Sequence, residues 1–400
     1  MSRVPVEISD YIIDFLHDDP QTLRACASTC HAWAPASRFH LFATVSLTSA
    51  NSTTTFRRLL GSSPDLGLYV HDLAAAKLTH VVTPSGPGEV PEEPEPAQNT
   101  LPPILTHCPG LHTLSLAHAD LKCFPDIRAL AHPSVSALTL SYCQFTDLAD
   151  VADLVSSFPS LASLSLSGLT WKDEARIIAP APLPMLRSLS LGRDMDSEKL
   201  FEWLEGASIH TSVTSLTARC ASEHDADLVG AFVKLAGPSL HELSLDWSLT
   251  GDKSACPFFL RCHCHRRLID LLLLLLTITA VLLPDSLSLG ACTALERLSL
   301  VFPVHFSTHL PWVTSFLATL DGTSLRSILC EIRLLGNIDS LDWEHFDKIL
   351  SSEACSGLEA LQFDINVWPG VHKDYAEVEG LVRERLATFD KKGIVHVSKA

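Results

Sequence analysis

A short pattern of apolar and polar positions recurs along the chain from about residue 101 onward. Its unit is Leu-x-x-Leu-x-Leu, with mostly small or polar residues at the intervening positions. Nine copies begin at residues 111, 135, 161, 186, 213, 240, 295, 325 and 358, so successive starts differ by 24, 26, 25, 27, 27, 55, 30 and 33 residues. Apolar residues at alternate positions predict a short β-strand in each copy, with its leucines on one side. A helix or loop would then return to the start of the next strand.

This period resembles that of leucine-rich-repeat proteins, whose units are about 20–29 residues long. Two copies carry more of that consensus, since Cys143 and Phe145 follow the copy at 135, and Asn366 and Trp368 follow the copy at 358. One unit cannot bury its own leucines, so the resemblance implies units stacked into a curved solenoid. The alternative is an ordinary α/β protein with leucine-rich strands.

The first 47 residues have a different pattern, which predicts three short helices. Apolar residues at helical spacing mark the first helix: Ile8, Ile12, Ile13, Phe15 and Leu16. Asp19 followed by Pro20 is a start signal for the second helix. Pro35 opens the third, and an extended segment follows from Val45. A piece this small needs a partner surface, either in the same chain or on another protein.

This segment resembles an F-box. Several residues carry the resemblance: Val4-Pro5, Glu7-Ile8, Leu23, Cys26, Trp33 and Leu41-Phe42. Val4 stands where the family usually has Leu. An F-box followed by degenerate leucine-rich repeats is similar to a large fungal family of F-box proteins.

The F-box resemblance implies a function. Proteins of that family bind the Skp adaptor of a cullin–RING ubiquitin ligase through the F-box, and their second domain holds the substrate protein. The implied adaptor interface consists of Val4, Pro5, Ile8, Leu23 and Trp33. For Pro5 and Leu23 we favour contact with the adaptor, whereas Ile12, Leu16 and Cys26 are expected to be core residues.

The predicted fold is therefore α/β, with an N-terminal three-helix F-box (1–47) followed by an irregular leucine-rich-repeat solenoid. Residues 48–80 form a connecting or first cap segment, and 81–100 form a flexible acidic linker or loop rich in Pro, Gly and Glu. The repeat domain covers 101–380, and 381–400 form a C-terminal tail.

An apolar stretch at 256–283 interrupts the repeats within the gap of 55 residues. Its uncharged run from Leu271 to Leu283 is shorter than the roughly 20 residues that span a bilayer, so a membrane segment is disfavoured. Two interpretations stay open, which are a buried helix of one irregular repeat and translated intron sequence.

Candidate substrate contacts lie on the expected concave side and in the loops after the strands. This side carries small hydroxyl residues in the early copies and charged residues in the later ones. Trp, Tyr and Arg carry much of the binding energy of protein interfaces, which favours some residues of the set. The candidates are Tyr142, Trp171, Arg193, Glu242, Trp247 and Arg297. The alternative for Trp171 and Trp247 is that they anchor loops within the fold.

The acidic composition of the chain disfavours polyanionic partners. With 46 acidic against 29 basic residues, the net charge of −17 disfavours nucleic acid and anionic membranes as partners. The N-terminus has no signal-peptide pattern, so the twelve cysteines are expected to be reduced in the cytoplasm or nucleus.

Motifs for catalysis are not apparent in the sequence. It has no phosphate-binding Gly motif, no Gly-x-Ser-x-Gly and no His-Glu-x-x-His, so we expect no enzymatic activity, catalytic residue or cofactor. The stretch Cys262-His263-Cys264-His265 is too crowded for a zinc finger, and we expect no metal site there. The predicted function is that of a substrate-recognition subunit of a Skp–cullin–F-box ubiquitin ligase. The alternative is a leucine-rich-repeat scaffold in which the three helices only cap the solenoid, and an enzyme ranks third.

Overall fold

The alternating apolar positions form parallel β-strands in the computed structural model of the chain. The structure describes residues 5–77, 97–172, 183, 185–195, 197–247, 287–304, 311–321, 324–368 and 374–399. It divides into two compact units, which are Met1–Leu186 with Asp194–Asp196, and Arg187–Arg193 with Ser197–Ala400. The expected α/β class is confirmed.

Twelve strands are found in the part of the chain that the structure describes, and they follow one another in sequence order. Their bounds are β1 Thr44–Leu47, β2 Asp72–Ala76, β3 Thr113–Ala117, β4 Ala137–Ser141, β5 Ser163–Ser167, β6 Ser188–Leu191, β7 Ser215–Cys220, β8 Glu242–Trp247, β9 Arg297–Val304, β10 Ser327–Leu334, β11 Ala360–Val367 and β12 Val395–Lys399. Strands β3 to β11 coincide with the nine copies of the sequence pattern, so the strand predictions are confirmed.

Twelve α-helices are found in the described ranges. Their bounds are α1 Val6–Asp14, α2 Pro20–Thr29, α3 Ala34–Ala43, α4 Ala50–Ser62, α5 Ala97–His107, α6 Leu148–Ser156, α7 Ser197–Gly206, α8 Glu223–Ala236, α9 Pro311–Leu317, α10 Trp343–Leu350, α11 Tyr375–Arg385 and α12 Ala387–Lys391. Short 3-10 helices complete several connections, among them Pro64–Tyr69 and Ile127–Leu130.

In the first unit, β1 to β5 pair with their neighbours in sequence order and in parallel. The register places the leucines of neighbouring strands opposite one another, as in the pairing of Leu114 with Leu138 and of Leu138 with Leu164. These leucines are fully buried, whereas the residues between them are partly exposed. The side of the strands that carries the leucines is therefore the core. Burying each leucine there contributes about 1.5–3 kcal/mol to the stability of the fold.

In the second unit, β6 to β12 pair in the same way, again in parallel and in sequence order. A second apolar ladder runs through Leu216, Leu243, Leu298, Ile328 and Leu361, which are register partners from β7 to β11. The side chains that alternate with this ladder form what we call the open face of the unit, and most of them are partly exposed.

The connecting helices cover the core with apolar residues at helical spacing. In α6 these are Val151, Leu154 and Val155, and in α8 they include Val229 and Phe232. Side-chain caps fix where several helices begin, because they satisfy backbone N–H groups of the first turn. Asp19 caps α2 as expected, since its carboxylate accepts hydrogen bonds from the backbone N–H groups of Gln21 and Thr22, each at 3.1 Å.

The structure corrects the prediction for the C-terminal segment and adds detail to two others. Residues 381–399 are not a tail, because they complete α11 and form α12 and β12. These helices connect β11 to β12, which pairs with it in parallel. Residues 48–77, predicted to be a connecting or first cap segment, supply α4 and β2. Residues 97–100, at the end of the predicted linker or loop, begin α5. The three N-terminal helices share a compact unit with β1 to β5. The rest of the predicted linker, 81–96, and the apolar stretch 256–283 lie outside the described residues.

A close backbone approach in the first unit explains one buried glycine. Gly67, in the 3-10 helix Pro64–Tyr69, lies against the end of α5, and an added Cβ would stand 2.8 Å from the carbonyl carbon of His107. We expect Gly67→Ala to lower the free energy of unfolding by about 1–3 kcal/mol, since the clash is with backbone that cannot rotate away. Urea denaturation followed by circular dichroism measures this change.

Gly61→Ala is the matched control. Gly61 lies in α4, nothing stands within 4 Å of its added Cβ, and alanine favours the helix by up to about 1 kcal/mol. Equal unfolding midpoints for the two variants would contradict the packing described for Gly67.

Candidate interaction surfaces

Helix α1 presents apolar residues to solvent. Ile8, Tyr11, Ile12 and Phe15 follow the spacing i, i+3, i+4, i+7 and therefore share one side of the helix, which we call the α1 face. Their exposed fractions lie between 50 and 66 %. The rings of Tyr11 and Phe15 meet edge to face, with centroids 4.9 Å apart. An apolar stripe of this kind normally faces a core, so its exposure makes the α1 face a candidate docking surface.

The other side of α1 attaches the helix to the rest of the first unit. Ile13 and Ser9 are buried there, and α1 packs on α3. The imidazole Nε2 of His40 in α3 lies 2.8 Å from a carboxylate oxygen of Asp14. These contacts fix the orientation in which the α1 face remains open.

The structure corrects part of the predicted adaptor interface. Leu23 is only 1 % exposed, because it and Cys26 are the two buried residues with which α2 packs into the helical bundle. Its side chain is therefore a core contact rather than a contact for an adaptor. The prediction for Ile12 is wrong in the opposite sense, because we expected a core residue and its side chain is exposed.

The remaining residues of that set are distributed as follows. Pro5 and Ile8 are exposed, and Trp33 is half-buried at the start of α3. Leu16, which we expected in the core, is half-buried. Val4 lies outside the described residues. The sequence missed Tyr11 as a surface residue, although its spacing from Ile8 and Phe15 was visible.

Two candidate substrate contacts belong to the first unit. Tyr142 follows β4 with a positive φ of 53° and is exposed, and its ring stacks on that of His118 with a centroid separation of 5.0 Å. Gly168 leaves space for this ring, since an added Cβ would overlap it. Trp171 is half-buried. Tyr142 and His118 thus form a small exposed aromatic surface at the ends of β3 and β4.

Trp247 is a core residue and not a substrate contact. It is 3 % exposed, and its ring packs against Trp312 at a centroid distance of 5.5 Å. It takes the inward position at the end of β8 because side chains alternate along a strand. The alternative interpretation, a packed anchor, is therefore the correct one for this residue.

Glu242 and Arg297 lie side by side on the open face of the second unit. They are register partners on β8 and β9 and form an ion pair. The hydroxyl of Ser215 also donates a hydrogen bond to Glu242, at 3.1 Å. Because each charge is paired with the other, the two residues offer little net charge to a substrate.

Arg193 belongs to a cluster that the sequence did not reveal. Three guanidinium groups converge on the carboxylate of Asp246 at the carboxyl ends of the strands. A terminal nitrogen of Arg193, Nε of Arg219 and a terminal nitrogen of Arg333 lie 3.5, 3.4 and 3.5 Å from the same oxygen, Oδ2. The Asp246 side chain is only 7 % exposed, whereas the arginines keep 25, 56 and 42 % of theirs. We call these four residues the arginine cluster.

The strand alternation contained a signal for this cluster. Arg219 and Asp246 stand two residues beyond Thr217 and Ser244, which already faced the open side in the sequence pattern. Extending the alternation by one more step along β7 and β8 would have found both. Arg333 required knowledge that β10 runs on to Leu334.

Two buried cysteines of the second unit are poorly suited to act as nucleophiles. Burial raises the pKa of the Cys220 and Cys330 thiols to about 12, and a protonated thiol is a poor nucleophile. Among the described residues, no group of three or more His, Cys, Asp or Glu side chains is arranged to hold a metal ion. In those same ranges no helix has both the length and the apolar character needed to cross a membrane.

Comparison with known proteins assigns no family to the chain. No protein-family profile matches it, and no curated protein is significantly similar to it in sequence. The functional argument therefore rests on the surfaces described above.

Stability measurements distinguish the two ion-pair sites of the open face. We expect Asp246→Asn to lower the free energy of unfolding by roughly 2–4 kcal/mol, because three arginines then lose a buried counter-charge. Added sodium chloride should reduce this loss, since salt screens repulsion between the arginines. Urea denaturation in phosphate-free buffer provides the measurement.

Glu242→Gln serves as the comparison, since it neutralises a carboxylate whose pair is far more exposed. Such surface pairs contribute about 0–1 kcal/mol. If the two variants lost the same free energy, Asp246 would not hold the cluster together.

Proposed function

We propose that this protein is a substrate-recognition subunit of a Skp–cullin–F-box ubiquitin ligase. In this proposal α1 to α3 form the F-box. Each strand, together with the helix or loop that connects it to the next strand, forms a leucine-rich repeat, and the repeats stack into a solenoid. The observation that carries the proposal is the open α1 face in the segment whose sequence resembles an F-box.

The α1 face has the character of a docking surface. Four large apolar side chains stand together on one helix, and completing their burial would yield several kcal/mol at about 1.5–3 kcal/mol for each fully buried side chain. Aromatic residues such as Tyr11 and Phe15 are typical of the residues that dominate binding energy. An amphipathic helix that enters an apolar groove of its partner is a common mode of recognition.

The repeat strands would supply the second binding function. Their open side carries polar and charged groups at regular spacing, while the core side is closed by leucines. Such a subunit needs no catalytic residue of its own, because it accelerates ubiquitin transfer by holding the substrate near the ubiquitin-carrying enzyme. The partners would be a Skp-type adaptor, through it a cullin–RING ligase, and a protein substrate. The cytoplasm or nucleus would be the place of action.

The alternative is a scaffold in which the three helices merely cap the repeats. A cap should have its apolar side covered by the following segment, residues 48–80. In the described part of that segment, α4 packs on the 3-10 helix Pro64–Tyr69 and this 3-10 helix packs on α3, while the α1 face stays exposed. This arrangement favours the adaptor over the cap.

A binding experiment with a purified Skp-type adaptor tests the proposal. Ile12→Asp and Phe15→Asp each place a charge in the α1 face, and both side chains are exposed, so the fold should be retained. We expect each substitution to weaken binding by at least about thirtyfold, which corresponds to a loss of about 2 kcal/mol. Isothermal titration calorimetry with the full chain measures the affinity.

Leu68→Asp is the matched control, because Leu68 is an equally exposed apolar residue of the same unit outside α1. It should leave the affinity unchanged. A folded wild-type chain that does not bind the adaptor would refute the ligase function and favour the scaffold. Leu23→Asp is unsuitable here, since a charge at that buried position would disrupt the helices themselves.

A further inference from the structure

The arginine cluster brings together side chains from separate strands at one end of the open face. Arg219 and Asp246 are register partners on β7 and β8. Arg193 follows β6, and Arg333 lies on β10. Strand β9, which lies between β8 and β10, contributes Val301 and Pro303 at the corresponding register positions, and neither carries a charge. The side chain of Arg333 therefore reaches Asp246 across an uncharged strand.

The cluster holds more positive charge than its carboxylate can neutralise. Three arginines face Asp246, and the distances of 3.4–3.5 Å exceed the roughly 2.7–2.9 Å of a tight charge-assisted hydrogen bond. Three guanidinium groups also offer about fifteen N–H donors, whereas a carboxylate has about four acceptor positions. Most of these donors stay available to another acceptor.

A buried nitrogen of Arg193 is a second, independent indication that the cluster can accept a further ligand. The Nε atom of Arg193 is buried and has no hydrogen-bond partner among the described residues. A buried donor without a partner costs about 1–3 kcal/mol, so an added acceptor at the cluster would relieve this cost.

We infer that the arginine cluster is a binding site for a phosphate monoester, in which Arg193, Arg219 and Arg333 contact the phosphate oxygens. A phosphate monoester carries a charge of about −1.5 to −2 near pH 7 and has three strong acceptor oxygens. Both properties match three guanidinium groups that share one carboxylate. A carboxylate ligand would offer a single charge and two oxygens, which leaves one arginine without a partner.

Asp246 positions the arginines rather than contacting the ligand. Its buried carboxylate draws three like charges to one point and thereby orders their side chains before a ligand arrives. Ordered side chains lose less conformational entropy on binding, which raises affinity. Glu331 and Asp364, register partners on β10 and β11, add negative charge on the far side. The phosphate is therefore expected nearer to β7 and β8.

The inference does not depend on the ligase function, since the site lies entirely within the second unit and binds its ligand without an adaptor. The phosphate could belong to a phosphorylated protein or to a small phosphorylated molecule, and the experiment separates the two. A nucleic acid is disfavoured, because the net charge of −17 repels an extended polyanion.

The test is a titration of the full chain with four probes, measured by calorimetry. They are a peptide pool with a fixed central phosphoserine and random flanks, the same pool with Ser or with Glu at the centre, and a sugar monophosphate. We expect the phosphoserine pool to bind at least about tenfold more tightly than the other two pools. A sugar monophosphate that binds as tightly as the phosphoserine pool identifies a small molecule as the source, and a weaker one identifies a protein.

Arg219→Gln and Arg333→Gln should each weaken phosphate binding by at least about tenfold, while both chains stay folded because these side chains are half exposed. Arg326→Gln is the control, since Arg326 is an exposed arginine of the same unit paired with Glu359 at 3.5 Å. Should a glutamine variant fail to fold, Arg219→Lys keeps the charge but loses the planar guanidinium, and it should bind with intermediate affinity. Equal binding of the three pools without binding of the sugar monophosphate, or equal losses in Arg326→Gln and Arg219→Gln, would overturn the inference.

Discussion

The register of the parallel strands is the constraint on which the rest of the structure depends. Each strand places alternate residues in the core, so a slip by one residue would turn every leucine toward solvent. The ladder through Leu243, Leu298 and Ile328 holds because the register aligns these residues strand after strand. The same alignment also decides which polar side chains become neighbours. Arg219 stands opposite Asp246, and Glu242 opposite Arg297, because the leucines beside them must align.

This constraint explains how much of the fold the sequence could predict. Leucines at every second position identify a strand without any knowledge of its neighbours, and so all nine copies of the pattern were placed correctly. Strand β12 was missed because Val395 and Val397 alone are too few to stand out. The segment before β3 was undervalued for a similar reason, since β2 reads Asp-Leu-Ala-Ala-Ala and lacks the second leucine.

The candidate surfaces were harder to predict, because periodicity locates a stripe of residues but not what covers it. In α1 the stripe of Ile8, Ile12 and Phe15 would ordinarily be assigned to the core, yet the helix is buried through Ile13 on another side. In α2 the opposite holds, since Leu23 is one of few apolar residues available and the small bundle uses it for packing. Local sequence places Arg219 and Asp246 on the open face, but it does not show that Arg193 and Arg333 join them, because the sheet alone brings these two arginines to Asp246.

The buried carboxylate of Asp246 connects stability with selectivity in the second unit. Three arginines at one point repel each other, and the carboxylate of Asp246 permits their approach. A single carboxylate neutralises only part of their positive charge and occupies only part of their N–H donors. This excess acts at short range, because salt screens exposed charges beyond about 8–10 Å. At longer range the acidic chain repels other anions. Such a combination favours a compact anion that can reach the arginines closely, and it opposes any ligand whose negative charge is spread along a polymer.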